Sequence, residues 1–500
     1  MTKEHISYWR QTSDLPTFPK LTENIETDVC IIGGGITGIT TAYLLSKEGL
    51  KVTILEADRI LQETTGNTTA KITLQHGLIY DELIGNIGEE QAKLYYEANK
   101  QGQQFIKEMV ETLSIDCSFT KENSYIYATS ENYAQKVEKE YEAYQKLGIE
   151  SQLLDSIPFP ISTKAVLNMT DQYQFHPLTY LHSILLEMQK NNVAIFEQTP
   201  ARDIEEKDKP VVLTENDYRV SCKYVVIASH FPFYDKKGFY FARMYAERSY
   251  CIAVKASSPY PSGMYYNGEK PVRSIRSIKN NNGEEWIIIS GENHKTGQDK
   301  DTAVHYDALQ IFSKEILKTD KVEYSWSTQD LITLDKIPYI GQLTKNTPSI
   351  LVATGFRKWG MTNGTTAALL LRDIIIGKEN PYHSLFSPSR FHPDPAIKTV
   401  ITTNLDVAKH FVSGKLDIGE QERTLSPNEG AILNINGKKV GCYKDDSGTI
   451  HKVDTTCTHL GCEVAWNSGE KTWDCPCHGS RFSYTGEVIE GPALKPLPKI

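Results

Sequence analysis

The period of the apolar positions changes several times along the chain. Residues 27–32 form a short, almost continuous apolar run of strand type. It breaks at Gly33, Gly34, Gly35 and Gly38, and helical spacing follows over 39–45. Residues 51–55 read as a second strand ending at Glu56, which completes one βαβ unit. Two long amphipathic helices are predicted over 89–113 and 132–147. Helical spacing returns at 180–191, with short strands at 193–196 and 224–228, a late strand at 351–355 and a last helix over 364–376. Residues 248–255 and 286–291 have the β-branched and aromatic composition of sheet. From 431 onward the runs shorten to strands at 431–435, 439–443 and 450–453, separated by Asn436-Gly437 and Asp446-Ser447-Gly448. Such closely spaced turn signals predict a small β domain. Pro381, Pro388, Pro393 and Pro395 argue against a helix through 381–398. The stretch 386–414 is therefore read as a linker, a coil spanning on the order of 25–30 Å.

Length and charge narrow the picture. At roughly 100–200 residues per domain, 500 residues require two to four domains. Apolar residues make up 39% and charged residues 23%, a globular balance. The net charge of −9 and the absence of a long basic run argue against a nucleic-acid or anionic-membrane surface. No stretch is apolar enough for a membrane span, and the polar residues 1–24 lack the features of a secretory signal, so a cytoplasmic protein is expected. Four of the nine cysteines fall between 457 and 477. The others, Cys30, Cys117, Cys222, Cys251 and Cys442, read as small buried hydrophobes.

The βαβ unit carries the first chemistry. Gly33 permits a tight turn, Gly35 lets backbone approach a pyrophosphate, and Gly38 lets helix and strand pack closely. Glu56 stands where a carboxylate can accept from ribose hydroxyls. Residues 64–71, with Thr68 and Thr69, are small and polar, suited to lying along a dinucleotide. Together with Val225-Val226-Ile227-Ala228, Asp335-Lys336-Ile337-Pro338-Tyr339-Ile340-Gly341 and Gly355-Phe356-Arg357-Lys358-Trp359-Gly360-Met361, these residues make 26–385 resemble the D-amino-acid oxidase and glycine oxidase superfamily of FAD enzymes. The resemblance implies an α/β, Rossmann-like FAD-binding domain with an interleaved antiparallel β substrate domain, preceded by an N-terminal extension over 1–25. The FAD-binding segments would be 26–80, 166–244 and 329–385, and the substrate segments 81–165 and 245–328. Implied FAD contacts are Gly33, Gly35, Gly38, Glu56, Thr68, Thr69, Ala228, Gly355, Trp359, Gly360 and Met361. Lys71, Arg357 and Lys358 are candidates for the cation that reduced flavin needs nearby. Residues 324–330 contain no cysteine where some relatives attach flavin, so non-covalent FAD is expected.

The C-terminal cluster carries the second chemistry. Cys457-Thr458-His459-Leu460-Gly461-Cys462 and Cys475-Pro476-Cys477-His478-Gly479-Ser480 each hold a cysteine, a histidine and a spare cysteine. Zinc could use such ligands. A [2Fe–2S] centre with two thiolates on one iron and two imidazoles on the other suits them better. Residues 415–500 resemble Rieske [2Fe–2S] domains. The resemblance implies Cys457 and Cys475 on the first iron, His459 and His478 on the second, a Cys462–Cys477 disulfide between the loops, and Gly491-Pro492-Ala493 as a third loop. A disulfide goes against the usual rule for a cytoplasmic protein. Ser480 matches a serine that tunes high-potential Rieske centres, whereas Phe482 stands where they often have a tyrosine. One tuning hydrogen bond is thus missing, and a potential below the top of the roughly −150 to +300 mV Rieske range is expected.

Asp171, His176 and His182 superficially suggest a mononuclear iron triad, but the spacing is poor and His176 before Pro177 reads better as a packed or capping residue. The expected function is a two-cofactor oxidoreductase. An amine or amino acid gives a hydride to FAD, and electrons leave singly through the Rieske cluster to an external acceptor protein or quinone-like carrier. Three rivals compete with it. An NAD(P)H-driven reductase would show a second nucleotide fingerprint between about 150 and 330, and none is found. A redox sensor or electron carrier would lack small-molecule turnover, and a simple oxidase would pass its electrons to oxygen and leave the Rieske domain idle.

Overall fold

The computed structural model describes the chain except residues 1–4, 192, 257–258, 281, 300, 320, 391–395 and 418, with 396–403 described by backbone alone. The βαβ unit forms the centre of a six-stranded sheet. Val29–Ile32 pairs in parallel with Val52–Leu55 on one side and Tyr224–Ile227 on the other. Ile350–Thr354 and Ala194–Phe196 extend it in parallel, and Tyr339–Gln342 closes one edge antiparallel. Every residue of Val29–Ile32 and Val52–Leu55 is buried, as strands covered on both faces require. The helix Ile36–Lys47 packs against Pro177–Gln189 and Gly360–Ile375.

A second, larger sheet runs Val322–Thr333, Met244–Lys255, Glu285–Lys295, Arg273–Lys279, Met264–Asn267, Thr120–Ala128, Ala165–Gln174 and Lys71–Ile72. It is antiparallel except between Met264–Asn267 and Thr120–Ala128. Lys71–Ile72 and Ala165–Gln174 therefore belong to this sheet, whereas the segment boundaries expected above put 71–72 and 166–174 with the FAD-binding part. The helical run Tyr80–Thr112 is two helices meeting at a kink at Gly88, whose φ is +83°; the helix expected over 89–113 forms after the kink, preceded by a first helical segment that the sequence did not announce. Its N-terminus has no local cap. The Glu140 carboxylate, from the neighbouring helix Glu131–Leu147, accepts from the N–H groups of Ile79, Tyr80 and Asp81 at 2.9, 2.9 and 3.0 Å. Residues of the expected N-terminal extension are built into the fold: Trp9 is fully buried and its Nε1 donates to Thr68 O at 2.6 Å.

The Rieske region folds as two four-stranded sheets, one from Glu420–Gln421, Glu429–Ile435, Lys438–Lys444 and Ile450–Asp454, the other from Ala465–Asn467, Thr472–Asp474, Arg481–Ser483 and Val488–Glu490. The expected coil over 386–414 is corrected: Ala396–Leu416 is a helix. Pro393 and Pro395 lie in the part of the linker outside the described residues. Prolines just ahead of a helix stop it extending upstream and do not prevent it forming downstream. The helix is tied to both regions. Asn404 donates to Ala242 O at 3.1 Å, Lys295 pairs with Asp406 at 2.7 Å, and Lys415 pairs with Glu463 at 2.9 Å. Among the described residues no helix is long and apolar enough to cross a membrane.

Candidate active site and metal centre

The dinucleotide cleft opens where the first strand meets its helix. Gly33 has φ +111°, and a Cβ there would stand 2.5 Å from Ala228 O. A Cβ on Gly38 would stand 2.0 Å from Gly33 O, so the helix can lie this close to the strand only with glycine there. Gly35 is the N-cap residue of Ile36–Lys47 and lines the cleft at that helix end, where the Ile36 N–H donates to Thr65 Oγ1 at 3.1 Å. The cleft has a volume of about 550 Å³. Its walls include Gly33, Gly35, Glu56, Thr68, Thr69, Ala228, Trp359, Gly360 and Met361; Gly38 and Gly355 shape the backbone without lining it. The Glu56 carboxylate accepts from Gly34 N–H at 2.7 Å and Asp58 N–H at 3.0 Å, and burial raises its pKa. Each carboxylate oxygen has a second lone pair, so acceptor capacity remains for a ribose. The glycine cradle and the acid at the strand end fit FAD.

The three candidate cations all line this cleft but differ in surroundings. Lys71 is buried, donates to Ser274 Oγ, and lies about 6 Å from the ring centres of Tyr266 and Trp359. Burial, and then the charge of Arg276, bring its pKa down to about 7. Lys358 donates to Ser249 Oγ at 2.5 Å and faces Asp330 and Glu247 at 3.5 and 3.6 Å. Its charge is thus balanced within the protein. Burial raises Asp330 to about 6 against the opposing pull of Lys358. Arg357 has φ +57° and donates from Nη2 to His76 O at 3.3 Å, while its buried Nη1 has no hydrogen-bond partner among the described residues. It leads into the N-terminus of Gly360–Ile375, whose dipole and cleft-facing residues favour negative charge on a ligand.

Sequence reasoning missed several cleft residues. Ser249, Cys251, Ser274, Ser290, Asn293 and Tyr266 reach the wall from strands far apart in the chain. None lies in a local motif, and only the pairing of the large sheet brings them together. Cys251, read as a plain buried hydrophobe, is buried and also lines the cleft; burial pushes its thiol pKa up. Asp171 pairs with Lys121 at the surface, and His176 Nδ1 accepts from Thr179 N–H as a helix cap.

The two cysteine loops share one construction. Cys457 N–H donates to Cys462 O at 2.7 Å and Gly461 N–H to Cys457 O at 2.9 Å. Cys475 N–H donates to Ser480 O at 2.7 Å and Gly479 N–H to Cys475 O at 3.0 Å. Gly461 and Gly479 carry φ +80° and +81°, which turns both loops the same way. Cys462 and Cys477 are disulfide-bonded and join them. His459 and His478 meet edge to face at 5.0 Å, and the Nδ1 atom of each is buried without a hydrogen-bond partner among the described residues. Two orphaned imidazole nitrogens and the two buried thiols of Cys457 and Cys475, carried on the same two loops, are the donor set a Rieske cluster requires. Ser480 Oγ, fully buried, accepts from Ala493 N–H at 3.0 Å and so ties the second loop to the third. Phe482 is fully buried.

The Rieske loops dock closely against the FAD-binding region. A Cβ on Gly479 would stand 2.4 Å from Ala246 Cβ, and Gln329 Nε2 donates to Gly479 O at 3.0 Å. The rings of Phe231 and Phe241 lie 6.3 Å from His459, and Phe241 lies 5.5 Å from His478. Arg248, fully buried, donates to Glu490 at 2.8 Å and Ser327 at 2.8 Å. Arg481 pairs with Glu470 at 2.8 Å. Burial alone would raise the Glu490 carboxyl, but Arg248 and Arg481 hold it below its ordinary value.

Known proteins show the same two parts. Residues 28–374 match the family described as FAD dependent oxidoreductase (DAO), and residues 418–500 match the Rieske [2Fe-2S] domain. The chain is 49% identical over 495 residues to the Rieske 2Fe-2S iron-sulfur protein YhfW of Bacillus subtilis (strain 168), covering 99% of this chain and 97% of the relative. It is 23% identical over 427 residues to gamma-glutamylputrescine oxidoreductase of Escherichia coli (strain K12), covering 80% of this chain and 95% of the relative. Glycine oxidase from Geobacillus kaustophilus shares its fold with a TM-score of 0.61 at 19% identity, over 73% of this chain and 99% of that one. With its glycine-cradled cleft and its paired cysteine–histidine loops, the chain belongs to the DAO family of FAD-dependent oxidoreductases and carries a C-terminal Rieske domain, so its cofactors are FAD and one [2Fe–2S] cluster.

Proposed function

We propose that this oxidoreductase oxidises an amine or amino acid and passes the electrons, one at a time, through its Rieske domain to an external one-electron carrier, a protein or a quinone-like molecule. The carrying observation is the dock, which sets the histidine loops against Phe231 and Phe241 on the flavin side. Bound FAD supplies the two-electron acceptor for a hydride, and the cluster supplies a one-electron site.

The chain's own residues prepare the substrate. Lys71 has no carboxylate partner in its hydrogen bonds or ion pairs among the described residues, and with a pKa near 7 it is largely neutral in mildly alkaline solution. It takes the proton from a substrate ammonium, leaving a neutral amine. Ser249, Ser274 and Ser290 give the cleft short polar walls that orient a small molecule. Arg357 Nη1 and the N-terminus of Gly360–Ile375 favour the negative charge of reduced flavin. Among relatives, glycine oxidase and gamma-glutamylputrescine oxidoreductase are named for amino-acid and amine substrates, which supports this class.

Anaerobic mixing with a panel of amines, amino acids and NAD(P)H tests the reading. Bleaching of the yellow flavin absorbance by an amine or amino acid is expected. Bleaching by NAD(P)H alone would replace this function with the reductase.

A further inference from the structure

One stretch of the Rieske domain faces neither its own core nor solvent alone. Residues 487–494 and Pro496 line the same cleft as Gly35, Thr65 and Glu56. Two of them, Ile489 and Leu494, are large apolar side chains left 40% exposed. Both line the cleft, so apolar surface of the Rieske domain faces that cavity. The segment is also rigidly placed. Glu490 is held by Arg248, and Ala493 N–H donates to Ser480 Oγ. A carboxylate facing a pyrophosphate would repel it, but the Glu490 charge is answered by Arg248 and Arg481. What the loop offers the cleft is therefore apolar surface without an unpaired negative charge.

We propose that the third loop of the Rieske domain, 489–494, is a wall of the FAD site, so that FAD binding and Rieske docking strengthen each other. Ile489 and Leu494 would then give a bound dinucleotide apolar surface in the same cleft that the glycine turn lines. FAD bound beneath the loop adds apolar and van der Waals contact that the undocked state lacks. By linkage, whatever factor docking adds to FAD affinity, FAD adds to docking. The inference concerns the cofactor site alone and stands whichever substrate the enzyme takes.

The test uses the full chain with its cluster in place. FAD is removed, and the wild type and an Ile489→Ser, Leu494→Ser double variant are titrated with FAD by flavin fluorescence. The variant is expected to bind at least about tenfold more weakly, a loss worth ~1.4 kcal/mol, while the electron paramagnetic resonance spectrum of its reduced cluster is unchanged. A second measurement needs no variant. Amide hydrogen exchange of residues 487–496 in the wild type is compared with and without FAD, and at least severalfold slower exchange with FAD is expected. An unchanged FAD affinity in a variant with an intact cluster spectrum overturns the proposal. So do equal exchange rates in the wild-type chain, and these decide the matter if the variant fails to fold.

Discussion

The dinucleotide cleft and the Rieske loops solve the problem of holding a cofactor in opposite ways. The cleft works by omission: at Gly33 and Gly38 a missing side chain lets backbone come close, and the wall is completed by strands from across the chain. The Rieske loops work by placement. Cysteine and histidine ligands sit two or three residues apart on twin turns closed by the same pair of backbone hydrogen bonds. The lesson is one of tolerance. A site built from side-chain ligands fails all at once when a ligand is lost, whereas a site built from space fails in proportion to what intrudes.

The largest expected effect is on the placement side. His459→Ala or His478→Ala removes an imidazole ligand and should abolish the Rieske spectrum. A variant that kept the spectrum of the unaltered chain would refute the ligand set. Next comes Gly38→Val, which drives atoms into Gly33 O. It should reduce FAD binding below detection, checked by flavin released on acid precipitation. In the unaltered chain that flavin should appear in the supernatant. A yellow pellet would mean covalent attachment, with Cys251 the first position to test.

The dock stands between the two regions, and its charges sharpen the contrast. Arg248→Met should cost up to roughly 3–5 kcal/mol, because it leaves the Glu490 carboxylate to the longer Arg481 pair alone, and a further Glu490→Gln change should recover much of that. Thermal unfolding of the single and double variants would show it. The same pair sets an acid limit. Because the Glu490 carboxyl is depressed, its contribution is complete above the ordinary glutamate pKa of about 4.3 and disappears as pH falls through the lower folded value. Dock protection in hydrogen exchange should stay flat from about pH 7 to 5 and fall below about pH 4. For Lys71 the sign reverses: substrate-driven flavin reduction should rise as pH passes about 7, and Lys71→Met should flatten that rise. The smallest effect expected is from Phe482→Tyr. One added hydrogen bond of ~1 kcal/mol to a ligand sulfur would raise the cluster potential by about 40 mV in a redox titration.

What could be read from the sequence follows the same division. Cys457, His459, Cys475 and His478 are local in sequence, and so is the run from Gly33 to Glu56; spacing alone carries them. The wall of the active cleft is not local. Nothing near Lys358 announces that Ser249, Glu247 and Asp330 will surround it, because strand register in the large sheet decides that. The segment of Tyr80–Thr112 ahead of Gly88 is hidden because its cap, Glu140, lies on another helix. The helix Ala396–Leu416 is obscured by prolines that bound it without belonging to it.

Gly479 bears on how such a fusion can change over evolutionary time. The left-handed turn already requires glycine there for the loop to form, and the same missing side chain lets the Rieske tip sit against Ala246. The contact surface thus coincides with the one loop position where a side chain would be opposed twice, by the turn and by the dock. A foreign Rieske domain exchanged into this chain would bring that flat spot with it. It would still need an acid at the Glu490 position to meet Arg248, so the exchange should turn on one salt bridge more than on the shape of the tip.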